Sequence, residues 1–339
     1  MAKSITIKDI AKEAGVSIAL VSFVMNNRIG DDGKQKYRVS EATRDRILEV
    51  AKRLDYRPNS AARMLRQGKT GAIGVILSDL ANIFYGTIAR QIEKEAHDCG
   101  YTVLFGSTEE DPERFGRLVR LFLEKDVEGF IVVPCEGSGD WVEYLKASGK
   151  PFVVIDRYSP YHTHPLVLTD NRGAMADAFK ELRAQGARKI EMAAYSMRVS
   201  SMTDREDMFR ELAGPDAKIY SMSYGTIEED AEKAADSIIA GGTDGLITAS
   251  NVPGVAIIKA LIRRGVKIQQ DIKIVGFDYS NVYEIFSPGI SYIQQPQEEM
   301  SRRAIRLLFS LISKKESGED ISLLHDRIVL KAKLIHGRQ

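Results

Sequence analysis

The chain has 339 residues, of which 44% are hydrophobic and 28% are charged, and its formal net charge is +1. This is the composition of a globular protein, and no apolar stretch is long enough to span a membrane, which excludes a transmembrane protein. The near-neutral total conceals an uneven distribution, because residues 1–70 carry 15 Lys and Arg against 8 Asp and Glu, a net charge of +7, whereas the remainder carries −6.

Residues 6–28 are predicted to form two short helices joined by a tight turn. Thr6 and Asp9 have the spacing of a capping pair at the start of the first helix, and Gly15 supplies its sharp exit. The apolar residues of this helix repeat at the spacing of one buried face: Ile7, Ile10, Ala11 and Ala14. A basic segment with two such helices predicts a DNA-binding head, although an ordinary helical hairpin has the same pattern.

The second helix is predicted to follow Ser17 as its N-cap. Its buried face would consist of Val21, Val24 and Met25, and its outward face of Ile18, Ala19, Ser22 and Phe23. An outward face with this much apolar character needs a partner. In helix-turn-helix proteins the second helix lies in the major groove, with its N-terminal residues against base edges.

Two further helices are predicted before residue 70. The third runs from its N-cap Ser40 to Leu54, with Ile47, Val50 and Ala51 on its buried face. The fourth lies within residues 57–71, where Pro58 suits a first helical turn and Gly68 ends the helix. A helix this short is marginal in water by itself, so we expect it to be stable only when it packs against something.

From residue 71 the pattern changes to short apolar runs that alternate with amphipathic stretches. The predicted strands lie at 72–77, 102–107, 129–134 and 151–156, and a second series at 165–170, 189–195, 218–223, 245–250 and 272–278, with helices near 171–185, 204–213, 227–240 and 254–264 between the later ones. Such alternation indicates parallel sheets covered on both faces. Because about 270 residues exceed one comfortable hydrophobic core, the sequence predicts two doubly wound lobes.

Three segments resemble the lactose-repressor (LacI/GalR) family of transcription regulators: VSIALVSFVMNN, VSEATRDRILEVAKRLDYRPNSAARMLR and GKTGAIGVILSDLANIFY. The resemblance runs essentially from end to end. It implies an all-α helix-turn-helix head (1–56), a hinge helix and linker (57–70), and an α/β periplasmic-binding-protein-like core (71–339). The chain would cross between the lobes near Asp170, Gln295 and Asp326, so that the first lobe comprises about 71–169 and 296–325 and the second about 170–295 and 326–339.

The resemblance also implies a set of DNA contacts. In the family the hinge helix orders on the operator and wedges a leucine into the minor groove; the matching residue here is Leu65, followed by Arg66 near the backbone. The predicted DNA-binding residues are Thr6, Ser17, Ile18, Ala19, Ser22, Phe23, Asn26, Arg28, Tyr56, Asn59, Ala62, Leu65 and Arg66.

Two departures from the family pattern concern the head. Relatives often carry hydrogen-bonding groups where this chain has Ile18, Ala19 and Phe23. Apolar side chains can contact thymine methyl groups but cannot make bidentate bonds to guanine or adenine, so the operator should be read partly through thymine methyls and shape. The link 29–38 is longer than usual. Its residues Lys34, Lys36 and Arg38 could contact phosphates, and a solvated loop without a role is as good an interpretation.

Polar side chains at the ends of the predicted strands indicate a ligand site between the lobes. Ligands of doubly wound sheets bind at the carboxyl ends of the strands, and matching the chain to the family position by position implies the same place. The predicted effector-binding residues are Ser78, Phe84, Asp156, Arg157, Ser201, Arg205, Asn251, Asp278 and Gln295. Carboxylates and amides paired with arginine suit sugar hydroxyls. The alternative is that Asp156, Arg157 and Asp278 are structural ion pairs or helix caps.

Other chemistry finds no support in the sequence. Gly68-Lys69-Thr70 lacks the earlier glycine of a phosphate-binding loop and precedes a strand, so no nucleotide site or other cofactor is predicted. Cys99 and Cys135 have no metal-ligand or redox spacing and are expected to be buried thiols, and His162 with His164 has no further nameable ligands, so no metal is predicted. A nucleophile–base pair is likewise missing, which argues against an enzyme.

The favoured interpretation is a repressor that binds a palindromic operator and responds to a small molecule, which the resemblance suggests is a sugar. A purine, a nucleoside or a phosphocarrier protein remains open as the signal, and a solute-binding core without a regulatory role is the alternative class. We expect a homodimer, since two hinge helices must meet over a symmetric operator and no leucine heptad follows the core. The start of the chain has no signal-peptide pattern, so a cytoplasmic, nucleoid-associated protein without membrane contact is predicted.

Overall fold

The computed structural model describes residues 5–25, 39–56, 69–158, 164–322 and 324–338. The chain divides into two compact units, residues 1–69 and 70–339. Several residues predicted to contact DNA lie outside the described ranges: Asn26, Arg28, Asn59, Ala62, Leu65 and Arg66, together with the link 29–38 and most of the predicted hinge.

The described part of the first unit, the head, contains helices α1 (Ile7–Ala14), α2 (Ile18–Met25) and α3 (Glu41–Arg53). The predicted capping of all three helices is confirmed. The backbone amide of Thr6 donates to the carboxylate of Asp9 at 2.8 Å, the amide of Leu20 donates to Ser17 Oγ at 3.2 Å, and the amide of Thr43 donates to Ser40 Oγ at 3.2 Å. Gly15 adopts a left-handed conformation with φ of 62°, which ends α1 and turns the chain into α2.

The head has a small hydrophobic core that all three helices share. The buried residues are Ile10, Ala11, Ala14, Val21, Val24, Ile47, Val50 and Ala51. Ile18 is 49% exposed, as predicted for the outward face of α2. Phe23 was expected on that face as well, but it is half-buried and packs against the core, and Met25 is likewise only half-buried. Because three short helices bury few apolar residues, the ring of Phe23 adds to this small core instead of lying fully in solvent.

The second unit, the core, consists of two six-stranded sheets. The strands are β1 (Ala72–Leu77), β2 (Thr102–Ser107), β3 (Phe130–Val132), β4 (Phe152–Ile155), β5 (Leu166–Thr169), β6 (Ile190–Tyr195), β7 (Ile219–Met222), β8 (Gly245–Thr248), β9 (Lys273–Phe277), β10 (Ser291–Gln294), β11 (Arg327–Leu330) and β12 (Lys333–Ile335). The first sheet has the strand order β11-β5-β4-β3-β1-β2 and is parallel throughout. The second has the order β12-β10-β9-β8-β6-β7 and is parallel except where β12 joins β10.

Helices cover both faces of each sheet and bury its apolar strands. They are α4 (Ile83–Asp98), α5 (Pro112–Glu124), α6 (Gly139–Ala147), α7 (Asn171–Ala184), α8 (Ser200–Ala213), α9 (Ile227–Gly241), α10 (Asn251–Arg263) and α11 (Gln297–Glu316). In the first lobe α4 and α11 pack on one face and α5 and α6 on the other; in the second lobe α7 and α8 lie opposite α9 and α10. The prediction of two doubly wound lobes is confirmed.

Two details of the sequence prediction are wrong. Helices α8 and α10 begin at Ser200 and Asn251, several residues before the predicted starts at 204 and 254. Because the loops after β6 and β8 are therefore short, both helices begin at the carboxyl edge of the second sheet. Cys99, expected to be buried, is exposed at the C-terminal cap of α4, past the buried face of that helix.

The predicted third crossing between the lobes, near Asp326, is also wrong. The chain passes to the second sheet after Thr169 and returns after Gln294, but β11 pairs in parallel with β5, from Arg327 beside Leu166 to Leu330 beside Thr169. Residues 327–330 therefore belong to the first lobe. The third crossing lies between Leu330 and Lys333, a few residues later than predicted. The alternating half-buried pattern of β11 is that of an edge strand, which gives a weak hydrophobic signal in the sequence.

Candidate functional site

A cavity lies between the two lobes, at the carboxyl ends of their strands. Eight of the nine residues predicted to bind the effector line it: Ser78, Phe84, Asp156, Arg157, Ser201, Arg205, Asp278 and Gln295. The ninth, Asn251, joins its side-chain amide to that of Asn82, which is itself a lining residue. Since parallel strands end at one edge of a sheet, two facing sheets bring these distant residues together.

Each lobe supplies one aspartate at the end of a central strand. Asp156 follows β4 and Asp278 follows β9, both are buried, and both adopt left-handed backbone conformations, with φ of 66° and 67°. A non-glycine residue pays about 1–2 kcal/mol for this conformation, and aspartate is among the residues that tolerate it best. Asp156 accepts a hydrogen bond from the Tyr85 hydroxyl at 2.8 Å, and Asp278 accepts one from Gln295 Nε2 at 2.8 Å.

Arg205 extends from α8 into the buried part of the second lobe. Its Nε donates to Asn171 Oδ1 at 2.8 Å, its Nη1 donates to the carbonyl of Ala249 at 2.6 Å, and its guanidinium lies over the ring of Phe277 at 3.6 Å. These contacts fix the plane of the guanidinium. Burial lowers the pKa of Arg205, although Asp278 and Asp156 oppose this effect.

Burial also governs the ionisation of Asp278. Loss of solvation raises its pKa to about 6, while the positive charge of Arg205 and the hydrogen bond from Gln295 act in the opposite direction and Asp156 adds to the increase. Gln295 Oε1 is buried and has no hydrogen-bond partner among the described residues. An unsatisfied buried carbonyl costs about 1–3 kcal/mol, so this corner of the cavity can gain energy from a hydrogen-bond donor.

Arg157 is held by Glu110, a residue that the sequence analysis did not select. Its Nη1 and Nη2 donate to the two carboxylate oxygens of Glu110, each at 2.8 Å, and its Nε lies 3.4 Å from Asp156 Oδ2. Burial acts to lower the pKa of Arg157, but the neighbouring negative charges outweigh it and raise the pKa well above its ordinary value. The alternative of a structural ion pair is thus partly correct for Arg157, since its strongest partner lies in the same lobe.

Asp79, which follows Ser78 after β1, also lines the cavity, as its place at a strand end predicts. The lining residues that were missed are Asn82, Tyr85, Glu110, Tyr195, Met197, Met202, Tyr224 and Ser250. Tyr195 and Ser250 lie directly at strand ends, so the rule that found the aspartates would have found them too. Tyr85 follows Phe84 on α4, and Glu110 lies in a loop three residues after β2. Those two positions have no signal in the sequence apart from their nearness to the same sheet edge.

Among the described residues, four pairs form hydrogen bonds between the lobes and hold this cleft closed. Asn251 Nδ2 donates to Asn82 Oδ1 at 3.0 Å, with a return bond at 3.3 Å, and the Tyr224 hydroxyl donates to Asp79 Oδ2 at 3.2 Å. The other two bonds are from the amide of Tyr158 to Ser200 Oγ, at 2.8 Å, and from the amide of Arg198 to Glu136 Oε2, at 3.0 Å. A change in the angle between the lobes would break all of them.

The head presents a second candidate site on α1 and α2. Thr6, Ser17 and Ala19 are exposed together with Ile18, while Ser22 and Tyr56 are half-buried. Tyr56, like Phe23, packs against the head core. The described surface of α2 is therefore less apolar than the sequence indicated, because only Ile18 of its large apolar side chains is strongly exposed.

Comparison with known proteins identifies both parts of the chain. Residues 6–59 match the bacterial regulatory proteins of the lacI family, and residues 179–332 match the periplasmic binding protein-like domain. A helical head of the first kind joined to a core of the second kind defines a class of DNA-binding transcription regulators. The chain belongs to the LacI family of bacterial transcriptional repressors.

Individual relatives cover nearly the whole chain. The ribose operon repressor of Halalkalibacterium halodurans is 31% identical over 314 residues, which is 91% of each protein. The transcriptional repressor PurR of Mannheimia succiniciproducens is 25% identical and covers 96% of this chain and 97% of its own length. Among solved structures, a lac repressor dimer bound to operator and the anti-inducer ONPF has a TM-score of 0.81 at 20% identity and covers 99% of both chains. The predicted fold is thereby confirmed, and these relatives are regulators rather than enzymes.

Among the described residues, none of the helices combines the length and the apolar character needed to cross a membrane. Within the same ranges, no group of three or more His, Cys, Asp and Glu side chains is arranged to hold a metal ion.

Proposed function

We propose that this repressor binds a palindromic operator through its head and hinge, and that a small ligand with several hydroxyl groups, such as a sugar, controls this binding from the cleft. The observation that supports the proposal best is the pair of buried carboxylates, Asp156 and Asp278, contributed by opposite lobes to one cavity. A carboxylate accepts hydrogen bonds from two hydroxyl groups at once, so one ligand can bind both lobes.

Arg205 and Gln295 complete this arrangement. After its contacts to Asn171 and Ala249, Arg205 retains Nη2 as a donor, and Gln295 Oε1 is a buried acceptor. Phe84, at the first turn of α4, lines the cavity and offers an apolar face to a ring. Donors, acceptors and one aromatic face are the groups that hold a polyhydroxylated ring in a fixed orientation.

Regulation follows from linkage between the cleft and the operator. A ligand that favours one angle between the lobes, and hence one arrangement of the dimer, changes operator affinity, and the operator changes ligand affinity by the same factor. A coupling of about 1–3 kcal/mol corresponds to a 5- to 150-fold change. Repression is the simplest outcome, because a dimer bound over a promoter blocks polymerase.

A thermal-shift screen of sugars and nucleosides tests this function. A ligand present at about 100 times its dissociation constant should stabilise the core by about 2.7 kcal/mol, and the same compound should change operator affinity in a filter-binding or anisotropy assay. A purine or nucleoside response would identify the alternative ligand class. Stabilisation by no compound in a broad panel, with normal operator binding, would contradict control from the cleft.

The pH dependence of ligand binding provides a second prediction. Hydroxyl donors need Asp278 in its ionised form, and the pKa of Asp278 in the unliganded cavity is about 6, with Arg205, Gln295 and Asp156 facing it. The dissociation constant should therefore be constant above pH 7 and rise up to tenfold per unit as the pH falls below 6. Calorimetry between pH 5 and pH 8 measures this slope and the accompanying proton release. A flat profile in a folded protein would show that Asp278 does not bind the ligand as a carboxylate.

The dimer is proposed to form along the edge of the first lobe. Strand β2 pairs with β1 on one side, and no strand of the described residues pairs with its outer edge. Leu80 and Ile83, which are 38% and 47% exposed, lie beside its end, where the amide of Leu80 donates to Ser107 Oγ at 3.4 Å. Exposed apolar groups next to an open sheet edge are typical of a surface that another chain covers.

Substitution Ile83→Glu should weaken the dimer at least tenfold, because a carboxylate would have to be buried in an apolar interface. The matched control is Ile239→Glu on α9 of the second lobe, where the isoleucine is 43% exposed. Analytical ultracentrifugation measures both variants. Equal dimer strength for Ile83→Glu and the wild type would place the interface elsewhere.

A further inference from the structure

The charges around the cleft suggest which ligands it admits, a point that rests on the proposed function. Among the described residues that line the cavity, four are acidic and two are basic: Asp79, Glu110, Asp156 and Asp278 against Arg157 and Arg205. With all six ionised the lining carries a net charge of −2. Most of these groups are buried, so salt screens their fields only weakly.

The two arginines are also engaged before any ligand arrives. Recognition of a phosphate or carboxylate by arginine depends on two parallel N–H donors of one guanidinium. Both Nη atoms of Arg157 are bound to Glu110, and its Nε, which makes no hydrogen bond to the described residues, lies 3.4 Å from Asp156 Oδ2. Nε and Nη1 of Arg205 are bound to Asn171 and Ala249. An anion that approaches either donor edge of Arg157 therefore meets a carboxylate, and Nη2 is the one nitrogen of Arg205 without a bond to the described residues.

Glu110 occupies its position at a cost in backbone energy. It and the preceding Glu109 both have left-handed backbones, with φ of 60° and 54°. Two consecutive non-glycine residues in this region cost about 1–2 kcal/mol each. The turn is held by the backbone amide of Glu109, which donates to the carbonyl of Ser78 at 2.6 Å, and it directs the Glu110 carboxylate onto Arg157.

One feature acts in the opposite direction. Helix α8 begins at the cavity, with Ser201 and Met202 of its first turn among the lining residues. A helix N-terminus is equivalent to about half a positive charge, which is smaller than the net charge of the lining. The sum of the lining charges and this partial charge therefore stays negative.

We infer that the cleft selects neutral or cationic polyhydroxylated ligands and rejects anionic ones such as sugar phosphates and nucleotides, and that Glu110 sets this selectivity by neutralising Arg157. The ligand class is thereby narrowed to unphosphorylated sugars, amino sugars and nucleosides. Glu110 acts as a specificity determinant, because its carboxylate occupies the Nη1–Nη2 edge of Arg157 and neutralises its charge.

The test uses the full-length dimer and compounds that differ only in charge: D-ribose with D-ribose 5-phosphate, D-glucose with D-glucosamine and D-glucose 6-phosphate, and adenosine with AMP. Inorganic phosphate and sulfate are included as bare anions. Thermal-shift and calorimetric titrations measure the affinity of each compound. In the series that binds, the phosphorylated compound should have an affinity about 100-fold lower than that of its neutral parent. The bare anions should produce no saturable shift.

The variant Glu110→Gln keeps the size of the side chain and frees Arg157. In this variant, the ratio between the dissociation constants of the phosphorylated compound and its neutral parent should be at least tenfold smaller than in the wild type. Glu109→Gln is the matched control, because it removes the same charge from the adjacent residue, whose carboxylate pairs with Arg114 at 2.7 Å on the surface and does not line the cavity; it should leave the discrimination unchanged. If Glu110→Gln does not fold, Asp79→Asn on the more accessible rim of the cavity should shift the discrimination in the same direction.

The outcomes separate this inference from the proposed function. Tighter binding of a phosphorylated compound than of its parent by the wild-type protein would overturn the inference and leave the proposed function intact. Equal effects of Glu110→Gln and Glu109→Gln would overturn the role of Glu110. If no compound of any charge binds, the proposed function itself fails.

Discussion

Substitution Asp278→Asn is expected to abolish the response to the ligand while operator binding stays at the wild-type level. Asp278 is buried at the end of β9 and is the acceptor that the second lobe contributes opposite Asp156. A hydrogen bond to a charged group contributes about 1.5–3 kcal/mol, so the loss of two such bonds should lower ligand affinity at least ~100-fold. The amide has the size of the carboxylate and can still accept the bond from Gln295 Nε2, which preserves the local structure.

Two measurements define this result: operator affinity by fluorescence anisotropy, and its change on titration with the ligand that the thermal-shift screen identifies. Asp271→Asn is the matched control, since Asp271 lies on the surface of the same lobe and accepts a bond from the amide of Lys267. The control should respond as the wild type does. Loss of operator binding by a folded Asp278→Asn dimer would instead assign Asp278 a structural role.

The sequence predicts those cleft residues that directly follow a recognisable strand. Asp156, Asp278 and Gln295 follow short apolar runs directly, and the carboxyl ends of parallel strands must meet at one edge. Glu110 could not be found in this way, because a turn with two left-handed residues brings it back to Arg157. Nothing in STEEDP distinguishes that glutamate from the surface residue Glu109 beside it.

The third crossing between the lobes illustrates a second limit. Buried strands such as β4 appear in the sequence as continuous apolar runs, whereas β11 has alternating exposure because it lies at the edge of its sheet. Its assignment to the first lobe depends on the pairing with β5, which lies about 160 residues earlier in the chain. The capping residues of the head, in contrast, act within three residues, and all three were predicted correctly from local spacing.

Leu65→Ala is the prediction with the largest expected effect on DNA binding. Leu65 lies outside the described residues, so the prediction rests on its match to the leucine that members of this family wedge into the minor groove. Opening a base step costs a few kcal/mol and is offset by the contacts that a kinked duplex allows. Without the wedge the operator should stay straight, and operator affinity should fall by about 2 kcal/mol, or roughly 30-fold.

Non-specific binding should respond differently, because it depends on phosphate contacts and does not need the kink. Leu65→Ala should therefore change affinity for random-sequence DNA by less than about threefold. Arg66→Ala, in contrast, is expected to remove a phosphate contact and should weaken binding to operator and random DNA alike. Anisotropy titrations with both DNAs at two salt concentrations distinguish the two variants. If Leu65→Ala lowers both affinities equally, the leucine is not a wedge, and the specificity of this repressor must come from α2 and the segment that follows it.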